Sequence, residues 1–412
     1  MMGCKDQSRS RLACRIAYLL VLLLPRVSSD DCLSNVKLPP GFSISSYAGG
    51  EVPNARSLAL SQAENDGRIL VYVSTRKRSH VYALIDEDGD GVADQVHTVI
   101  DDKDTPNGIA WRKGSLFVAQ IDKIWRYDDV DEKALAGKML GDPVLVSDAF
   151  PDDSGHGWKF IAFGPDDRLY VPVGAPCNVC KLDKFKTISY GSINRMNPDG
   201  TDLEEFATGV RNTVGFDWHP LTKQMWFTDN GRDRMGNDLP DDELNKAWRK
   251  GLDFGFPICH TKGSGDPYNR PVGRGGLIPD PVYGNDTVCA GGGIQEAAQP
   301  LGPHVAALGM RFYTGKMFPK SYQNSIFIAE HGSWNRDDPI GYRVVRVELS
   351  KNGKWVTGRE NFAEGWLDKE TGEDCGRPVD VLELPDGSLL VSDDAADDVY
   401  RITYSKNESI KE

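Results

Sequence analysis

A turn followed by a short apolar strand recurs along this chain, and no other feature limits the fold as strongly. Six copies occur: DGRILVYVS from Asp66, KGSLFVAQ from Lys113, PDDRLYVPVG from Pro165, LTKQMWFTDN from Leu221, QNSIFIAEHG from Gln323 and PDGSLLVSDD from Pro385. Several copies lead into a further strand, such as HVYALIDED or YRVVRVELSKNG. Each copy therefore indicates a small antiparallel unit.

The spacing of about 40–60 residues between copies predicts an all-β, six-bladed β-propeller of four-stranded antiparallel blades. The early strand GFSISSYAGG, from Gly41, has no preceding partner, so we expect it to complete the last blade. The spacing lengthens between Asn230 and Gln323, where GSGDPYNRPVGRGG predicts a long loop insertion. A two-sheet sandwich is the alternative, and the strand number and the repeat period disfavour it.

The N-terminus has the pattern of a secretory signal peptide over residues 1–29. Arg9, Arg11 and Arg15 precede an apolar run that ends at Pro25, and Val27 and Ser29 occupy the −3 and −1 positions of a cleavage site. We expect one propeller domain over residues 30–405 and a tail over 406–412. A short membrane anchor is the alternative for the first segment. No later run is long enough to cross a bilayer, so we expect a secreted protein (periplasmic in a bacterium) without stable membrane insertion.

Charge excludes one class of partner. The formal net charge is −13, and residues 1–29 carry five basic side chains and one acidic side chain, so their removal leaves −17. A strongly acidic protein is repelled by phosphate backbones, and nucleic acid is therefore excluded as a partner.

Six cysteines remain after cleavage, and an even number in a secreted chain indicates disulfides. The CNVC segment predicts a local Cys177–Cys180 bond, because redox chemistry would need a βαβ context and zinc would need a second ligand pair. We expect the other pairs to be Cys259–Cys289 and Cys32–Cys375. Asn285 and Asn407 begin N-glycosylation sequons, which matter only where the source glycosylates.

Polar residues stand just before the repeated strands, where the innermost strand of each blade should begin. These positions converge at one end of a propeller's channel, and they are Arg56, Asn107, His156, Arg211, Asn212, His304 and Arg377, with His331 and Arg336 added from a loop. Arginines clustered in an acidic protein indicate a polyanionic ligand. Pairing of these arginines with local carboxylates is the alternative.

Two acidic segments are candidate cation sites. The segment TDNGRDRMGNDLPDDELN offers Asp229, Asn230, Asp241 and Asp242, and oxygen ligands of this kind suit hard cations. In DEDGDGVAD, the side chains match positions 1, 3, 5 and 9 of a calcium loop; they are Asp86, Asp88, Asp90 and Asp94. The glutamate expected at position 12 is replaced by His97. A solvated acidic loop is the alternative for both segments.

Five segments together resemble the glucose/sorbosone dehydrogenase family, whose members are soluble six-bladed propellers that use pyrroloquinoline quinone (PQQ) and calcium. They are HGWKFIAFGPDDRLYVPVGAPCNVC, GVRNTVGFDWHP, LGMRFYTGKMFP, AEHGSWNR with GYRVVRVEL, and GRPVDVLELPDGSLLVSDD. They occur in the family's order, and the similarity extends from Leu38 to Tyr404. The resemblance implies a sugar dehydrogenase that passes electrons from an aldose or a sugar aldehyde to a soluble acceptor or a cytochrome domain.

The resemblance also implies roles for individual residues. His156 matches the general base. The matching cofactor contacts are Arg56, Arg211, Asn212, Arg377 and Asp393, to which we add His331 and Arg336. The calcium segment matches at Gly231, Arg232 and Asp242, the first two through their carbonyls.

Three positions depart from the glucose dehydrogenase pattern. Gly155 replaces an acidic residue before the histidine, Val214 replaces a glutamine, and Phe254 replaces a tyrosine. Asp152 or Asp153 is therefore the candidate to orient the His156 ring.

Two other functions use the same fold. A calcium-dependent lactonase needs acidic and amide ligands on the propeller axis, where this chain places mostly arginine and histidine. A secreted binding propeller that has lost its cofactor would not be expected to keep His156, Arg211, Asn212 and Arg377 together.

Overall fold

The computed structural model describes residues 32–263 and 272–406, and nearly all of its regular structure is β-strand. Strand β1 (Phe42–Ser46) precedes the first blade. Blade 1 consists of β2 (Ala55–Leu60), β3 (Ile69–Thr75), β4 (Val81–Asp86) and β5 (Gln95–Ile100). Blade 2 consists of β6 (Gly108–Arg112), β7 (Ser115–Ala119), β8 (Ile124–Tyr127), the helix α1 (Val130–Leu135) and β9 (Val144–Ser147).

Blade 3 contains an inserted hairpin. It consists of β10 (Ala162–Phe163), β11 (Leu169–Val173), the hairpin of β12 (Lys184–Phe185) and β13 (Ile188–Ser189), then β14 (Ser192–Met196) and β15 (Glu204–Thr208). Blade 4 begins with β16 (Gly215–Trp218), β17 (Met225–Asp229) and β18 (Asp241–Ala247). The connection to its last strand carries β19 (Leu252–Asp253), which pairs in parallel with β15, the hairpin of β20 (Cys259–Thr261) and β21 (Leu277–Pro279), and α2 (Asp286–Ala290). Strand β22 (Gln299–Pro303) completes the blade.

Blades 5 and 6 follow the same order. Blade 5 consists of β23 (Ala307–Phe312), β24 (Ile326–Glu330), β25 (Arg343–Leu349) and β26 (Val356–Glu364). Blade 6 consists of β27 (Pro378–Glu383), β28 (Leu389–Asp393) and β29 (Asp398–Tyr404). Short 3₁₀ turns lie at Asn65–Gly67 and Lys320–Tyr322. The six-bladed propeller predicted from the repeats is confirmed.

The ring closes as predicted, because β1 pairs with β29 as the fourth strand of blade 6. The Cys32–Cys375 disulfide joins the N-terminal segment to the same blade. The other expected bonds, Cys177–Cys180 and Cys259–Cys289, are also present. All three predicted pairings are therefore confirmed.

Burial and close packing explain why the repeated segments form these strands. Every residue of β11, β17, β24 and β28 is buried, as the continuous apolar runs predict for strands covered on both faces by neighbouring blades. Glycines allow the inner strands to approach one another. A Cβ at Gly108 would lie 2.1 Å from the Lys159 carbonyl oxygen, and one at Gly215 would lie 2.2 Å from that of Leu308.

The antiparallel order defines two faces. We call the end where β2 begins and β3 ends the upper face, since Ala55 pairs there with Thr75, and the opposite end the lower face. The predicted signal peptide, the sequon at Asn407 and residues 264–271 of the predicted insertion lie outside the described residues. Among the residues described, no helix is long and apolar enough to cross a membrane.

Candidate active site

A cavity of about 360 Å³ opens at the upper face, around the channel axis. The first strand of each blade begins at this end and the second strand ends beside it, so side chains from several blades converge. The lining includes a set of cationic and imidazole side chains: Arg56, Arg76, Arg211, Arg377, His156, His304 and His331. A larger cavity of about 840 Å³ lies at the lower face, but no described histidine lines it. The chemistry of the lining, rather than size, identifies the candidate site.

His156 presents one free ring nitrogen to this cavity. Its Nδ1 lies 2.7 Å from the Ala175 carbonyl oxygen, which can only accept, so Nδ1 carries the proton and Nε2 is left as an acceptor. Burial, with Arg211 nearby, lowers the pKa of His156 to about 4. The residue has a φ of 52°, and a Cβ at Gly174 would lie 2.6 Å from its Cβ. The imidazole is therefore neutral at physiological pH and fixed in one orientation.

The orienting partner of His156 differs from our expectation. We expected Asp152 or Asp153, but the Asp153 carboxylate accepts a hydrogen bond from the Tyr190 hydroxyl. The Ala175 carbonyl is brought to the ring because the Ala175 amide bonds the Arg211 carbonyl at 2.8 Å. The Ala175 carbonyl therefore orients the His156 ring, the role expected of a nearby carboxylate.

Arg211 has all five of its N–H donors occupied within the protein. Its Nε and one Nη bond the carbonyl and side-chain oxygens of Asn178, at 2.9 and 3.0 Å. The remaining donors reach the carbonyls of Asn230 and Gly231 and the carboxylate of Asp233, at 3.2, 2.8 and 3.2 Å. A ligand in the cavity therefore contacts the flat face of this guanidinium rather than the edge that carries its N–H donors.

The acceptor for Arg211 belongs to the Cys177–Cys180 loop. Asn178 also bonds Asp233 in both directions, because its Oδ1 accepts from the Asp233 amide at 2.8 Å and its Nδ2 donates to the Asp233 carbonyl at 3.0 Å. The disulfide thus holds Asn178 against two residues of the cavity lining. Neighbouring Asn212 lines the cavity with a carboxamide that makes no hydrogen bond to the described part of the chain.

A buried network joins four blades on the other side of the cavity. Arg56 bonds the Asn107 side chain at 2.9 Å and the Asp394 carboxylate at 2.9 Å, and Asp394 also lies 2.7 Å from His331 Nε2. Burial lowers the pKa of His331 to about 4, against the opposing effect of Asp394. Since Nε2–H donates to the carboxylate, Nδ1 of His331 is a second unprotonated ring nitrogen in this cavity.

Two further arginines retain donors for a ligand. Arg377 gives Nε and one Nη to the carbonyls of His331 and Gly332, at 3.0 and 2.7 Å. Arg76 stacks on Trp158 at 3.8 Å from the ring centroid, and its guanidinium makes no ion pair or hydrogen bond with any described residue. Burial and the adjacent Arg56 lower the pKa of Arg76 to about 10, so it remains a cation. Arg76 is therefore the cation best placed to bind a carboxylate.

Three of the predicted contacts do not line the cavity. Arg336 is directed to the Asn237 carbonyl and lies 3.5 Å from Asp238. Asp393 is fully buried and accepts hydrogen bonds from backbone amides, including that of Arg377 at 2.8 Å. The Arg232 side chain pairs with Asp280 at 2.6 Å, so only its carbonyl remains for an ion. Asp393 supports Arg377 from behind instead of contacting a ligand.

The predicted calcium segment brings Gly231 and Asp242 to the cavity wall. Each oxygen of the Asp242 carboxylate accepts one backbone amide, from Gly231 at 2.8 Å and Ala306 at 2.7 Å. Burial raises the pKa of Asp242 well above its usual value. A buried carboxylate with remaining lone pairs, beside the Gly231 carbonyl, is an oxygen donor set that suits calcium. Asp229 and Asp241 are buried but do not line the cavity.

The other acidic segment lies at the lower face, in the turn between β4 and β5. Oxygen atoms of Asp86, Asp88 and Asp94 come within 4.8 Å of one another, and Asp90 is not part of this group. The carboxylate of Asp86 accepts from the amides of Gly89 and Gly91, at 2.7 and 3.1 Å. This loop is separate from the cavity, and calcium binding there stays a prediction.

Sequence reasoning missed several residues of the site: Arg76, Trp158, Asn178, Asp233, Trp334 and Asp394. A usable signal existed for Arg76 and Asp394, since both follow the second strand of a blade directly, and that strand ends beside the start of the first. His331, which we did predict, occupies the equivalent position after β24.

Comparison with known proteins places this architecture in a family. Residues 36–405 match the family described as TrAA12-like. The chain belongs to the TrAA12-like family. This TrAA12-like chain is 29% identical over 394 residues to an uncharacterized protein of Borreliella burgdorferi, covering 92% of this chain and 94% of that protein. It is 29% identical over 167 residues to the pyrroloquinoline quinone-dependent pyranose dehydrogenase of Coprinopsis cinerea, covering 36% of this chain and 22% of that enzyme.

Solved structures share the fold of this TrAA12-like propeller. The holo PQQ domain of the Coprinopsis cinerea pyranose dehydrogenase superposes with a TM-score of 0.72 at 19% identity, over 89% of this chain and 97% of that domain. The calcium structure of a Trichoderma reesei family AA12 protein gives 0.75 at 18% identity, over 90% and 97%. The apo aldose sugar dehydrogenase of Escherichia coli gives 0.61 at 17% identity, over 88% and 100%. The resemblance to sugar dehydrogenase propellers is thereby confirmed.

Proposed function

We propose that this protein is a calcium-assisted, PQQ-dependent oxidoreductase that oxidises an aldose or a sugar aldehyde, with His156 as the general base. One observation carries the proposal. A neutral imidazole with a free Nε2, the flat face of Arg211 and the unpaired cation of Arg76 line one cavity. The relatives named for PQQ and sugar oxidation support the same assignment.

The residues present fit the cofactor. PQQ is a planar molecule with three carboxylates, and the cavity offers Arg76 and Arg377 donors for carboxylates and the Arg211 face for a flat ring. Asp242 and Gly231 would hold calcium through oxygen. Bound together, PQQ and calcium would supply a two-electron acceptor for hydride and a Lewis acid that activates it.

His156 would take the proton from the hydroxyl of the sugar being oxidised. Because its Nδ1–H is bonded to Ala175, the ring can accept a proton only at Nε2, and the Ala175 carbonyl then stabilises the imidazolium. Trp334, which lines the cavity and is 71% exposed, stands at the entrance where a sugar ring would enter. His331 is the competing candidate for the general base. It differs from His156 in that its ring bonds the Asp394 carboxylate, whereas the His156 ring bonds a backbone carbonyl.

The alternative functions fit less well. A lactonase-type centre needs carboxylates around one ion, whereas the described lining has two, Asp233 and Asp242, against four arginines. We also propose that the protein is secreted after removal of residues 1–29, since its three disulfides suit an oxidising compartment. Its electrons would pass to a soluble acceptor or to a cytochrome domain of another protein.

Reconstitution tests the proposal. The mature protein is loaded with PQQ and calcium, and dye reduction is screened over aldoses and sugar aldehydes. We expect turnover by the loaded wild type, a loss of about 10²–10⁴-fold in His156→Ala, and a smaller loss in His331→Ala. No turnover with any sugar by a loaded protein would contradict the oxidoreductase assignment. A larger loss in His331→Ala would transfer the base role to His331.

A further inference from the structure

A second concave surface lies at the lower face, away from the candidate active site. It is a groove of about 380 Å³ between blades 4 and 5, formed where β18 ends and where β25 turns into β26. Two tryptophans line it, and they are among the exposed large apolar side chains of the molecule: Trp248 is 49% exposed and Trp355 is 56% exposed. Indoles left in solvent along a groove mark a binding surface.

Three cations line the same groove. Lys246, Arg274 and Lys354 form no ion pair with a carboxylate anywhere in the described chain. Lys246 instead donates to the carbonyls of Gly353 and Lys354, at 3.3 and 3.4 Å. Because the three side chains line one groove, the like charges of Lys354 and Arg274 add to burial in lowering the pKa of Lys246. An uncompensated positive cluster on a protein of net charge −13 attracts anions.

The indoles are held in place by polar contacts. Trp248 donates its Nε1–H to the Gln295 side chain at 3.2 Å, and the Arg249 guanidinium lies 4.8 Å from its ring centroid. The Arg274 guanidinium lies 5.5 Å from the centroid of Trp355. Groups that restrain an indole reduce the entropy lost when a ring stacks on it.

We propose that this groove binds a segment of an anionic polysaccharide, whose sugar rings stack on Trp248 and Trp355 and whose carboxylates or sulfates pair with Lys246, Arg274 and Lys354. The apolar face of a sugar ring suits an indole, and the side-chain amide of Gln224 in the lining can bond a hydroxyl. A concave groove suits a chain better than a flat bilayer does. The groove would hold the enzyme on a polymer while the opposite face stays open.

Binding to a defined polyanion tests this site without the cofactor. The apo form of the mature protein is titrated calorimetrically with polygalacturonate, with a sulfated glucan, with neutral dextran and with phosphatidylglycerol vesicles. We expect saturable binding to one or both anionic glycans, weakening as salt rises from about 0.05 to 0.5 M, and little binding to dextran. The two anionic probes distinguish carboxylate from sulfate as the recognised group.

Variants locate the binding. Lys354→Glu should weaken binding by about tenfold or more at low salt, and Trp355→Ala should weaken it by about tenfold at all salt concentrations. Lys138→Glu is the matched control, because Lys138 is an exposed lysine of blade 2 and its substitution makes the same charge change away from the groove. Circular dichroism and melting temperature should be unchanged in all three.

Several results would overturn the proposal. They are equal affinity for dextran, equal weakening by Lys138→Glu, tight binding to vesicles without binding to either glycan, and no binding to any probe. Binding to vesicles alone would assign the patch to a lipid surface. Because no PQQ is used, failure here is independent of the proposed function.

Discussion

Asn178→Ala should weaken cofactor binding even though Asn178 does not line the cavity. The substitution removes the acceptor of one Arg211 Nη donor at 3.0 Å and both side-chain bonds to the Asp233 backbone, at 2.8 and 3.0 Å. The backbone carbonyl of residue 178 still accepts from Arg211 Nε. Arg211 would then keep its charge but lose one of the contacts that hold its guanidinium flat against the cavity.

The size of the effect follows from these bonds. A hydrogen bond to a charged group contributes about 1.5–3 kcal/mol and a neutral one about 0.5–1.5 kcal/mol. Arg211 is only 4% exposed, so water replaces the lost acceptor incompletely. We expect the free energy of unfolding to fall by about 2.5–6 kcal/mol, and PQQ affinity to fall by about 10–100-fold.

The assay pairs thermal denaturation of the apo protein with a fluorescence titration of PQQ in calcium. Cys177→Ser/Cys180→Ser should weaken affinity in the same direction, because the disulfide holds the loop that carries Asn178. Asn197→Ala is the matched control, since it also removes side-chain bonds, to Thr201 and Asp202 at 2.9 Å, but away from the cavity. Unchanged affinity in an Asn178→Ala protein that has lost stability would refute the reasoning.

Four further predictions each rest on a single feature of the structure. The rate of substrate oxidation at saturating sugar should be constant from about pH 5 to 8 and should fall near pH 4, because the His156 pKa of about 4 keeps Nε2 unprotonated above that pH. Stopped-flow measurements across this pH range test the prediction, and a fall in rate near pH 6.5 would contradict it. The same lowered pKa makes His156 contribute stability above pH 6.5 that is lost as the pH falls toward 4. The free energy of unfolding, measured by denaturant titration, should therefore fall more over this pH range in the wild type than in His156→Ala. Gly174→Ala should slow turnover, because its Cβ would lie 2.5 Å from the His156 carbonyl oxygen, and an unchanged kcat would show that His156 can shift without cost. Cys32→Ser/Cys375→Ser should lower the free energy of unfolding by about 2–5 kcal/mol with unchanged PQQ affinity, because this bond ties the β1 segment to blade 6.

The repeats were sufficient to predict the blades because each blade is built from local hairpins. The closing strand at Phe42 could be predicted because its blade lacked a fourth strand. Side-chain direction could not be predicted in the same way. Asp393 and Asp394 are adjacent, yet one turns back to backbone amides and the other reaches Arg56 and His331.

Contacts between distant segments account for the other differences. Arg211 matches a family position, but the sequence does not show that Asn178, the two carbonyls after β17 and the Asp233 carboxylate together occupy all of its N–H donors. Arg336 lies in the same loop as His331, but its hydrogen bond to the Asn237 carbonyl in blade 4 directs its side chain away from the cavity. Arg76 was missed because, apart from the loop that carries His331 and Arg336, the prediction used only the beginnings of first strands, although the end of β3 meets the beginning of β2.

Direct cofactor binding tests the central claim most simply. The apo mature protein is titrated with PQQ in calcium and again with a chelator, and Arg76→Gln is titrated in calcium. The account predicts saturation at one equivalent in calcium, weaker binding with the chelator, and about tenfold weaker binding by Arg76→Gln, whose guanidinium has no partner among the residues described. No saturable binding in either condition would contradict it.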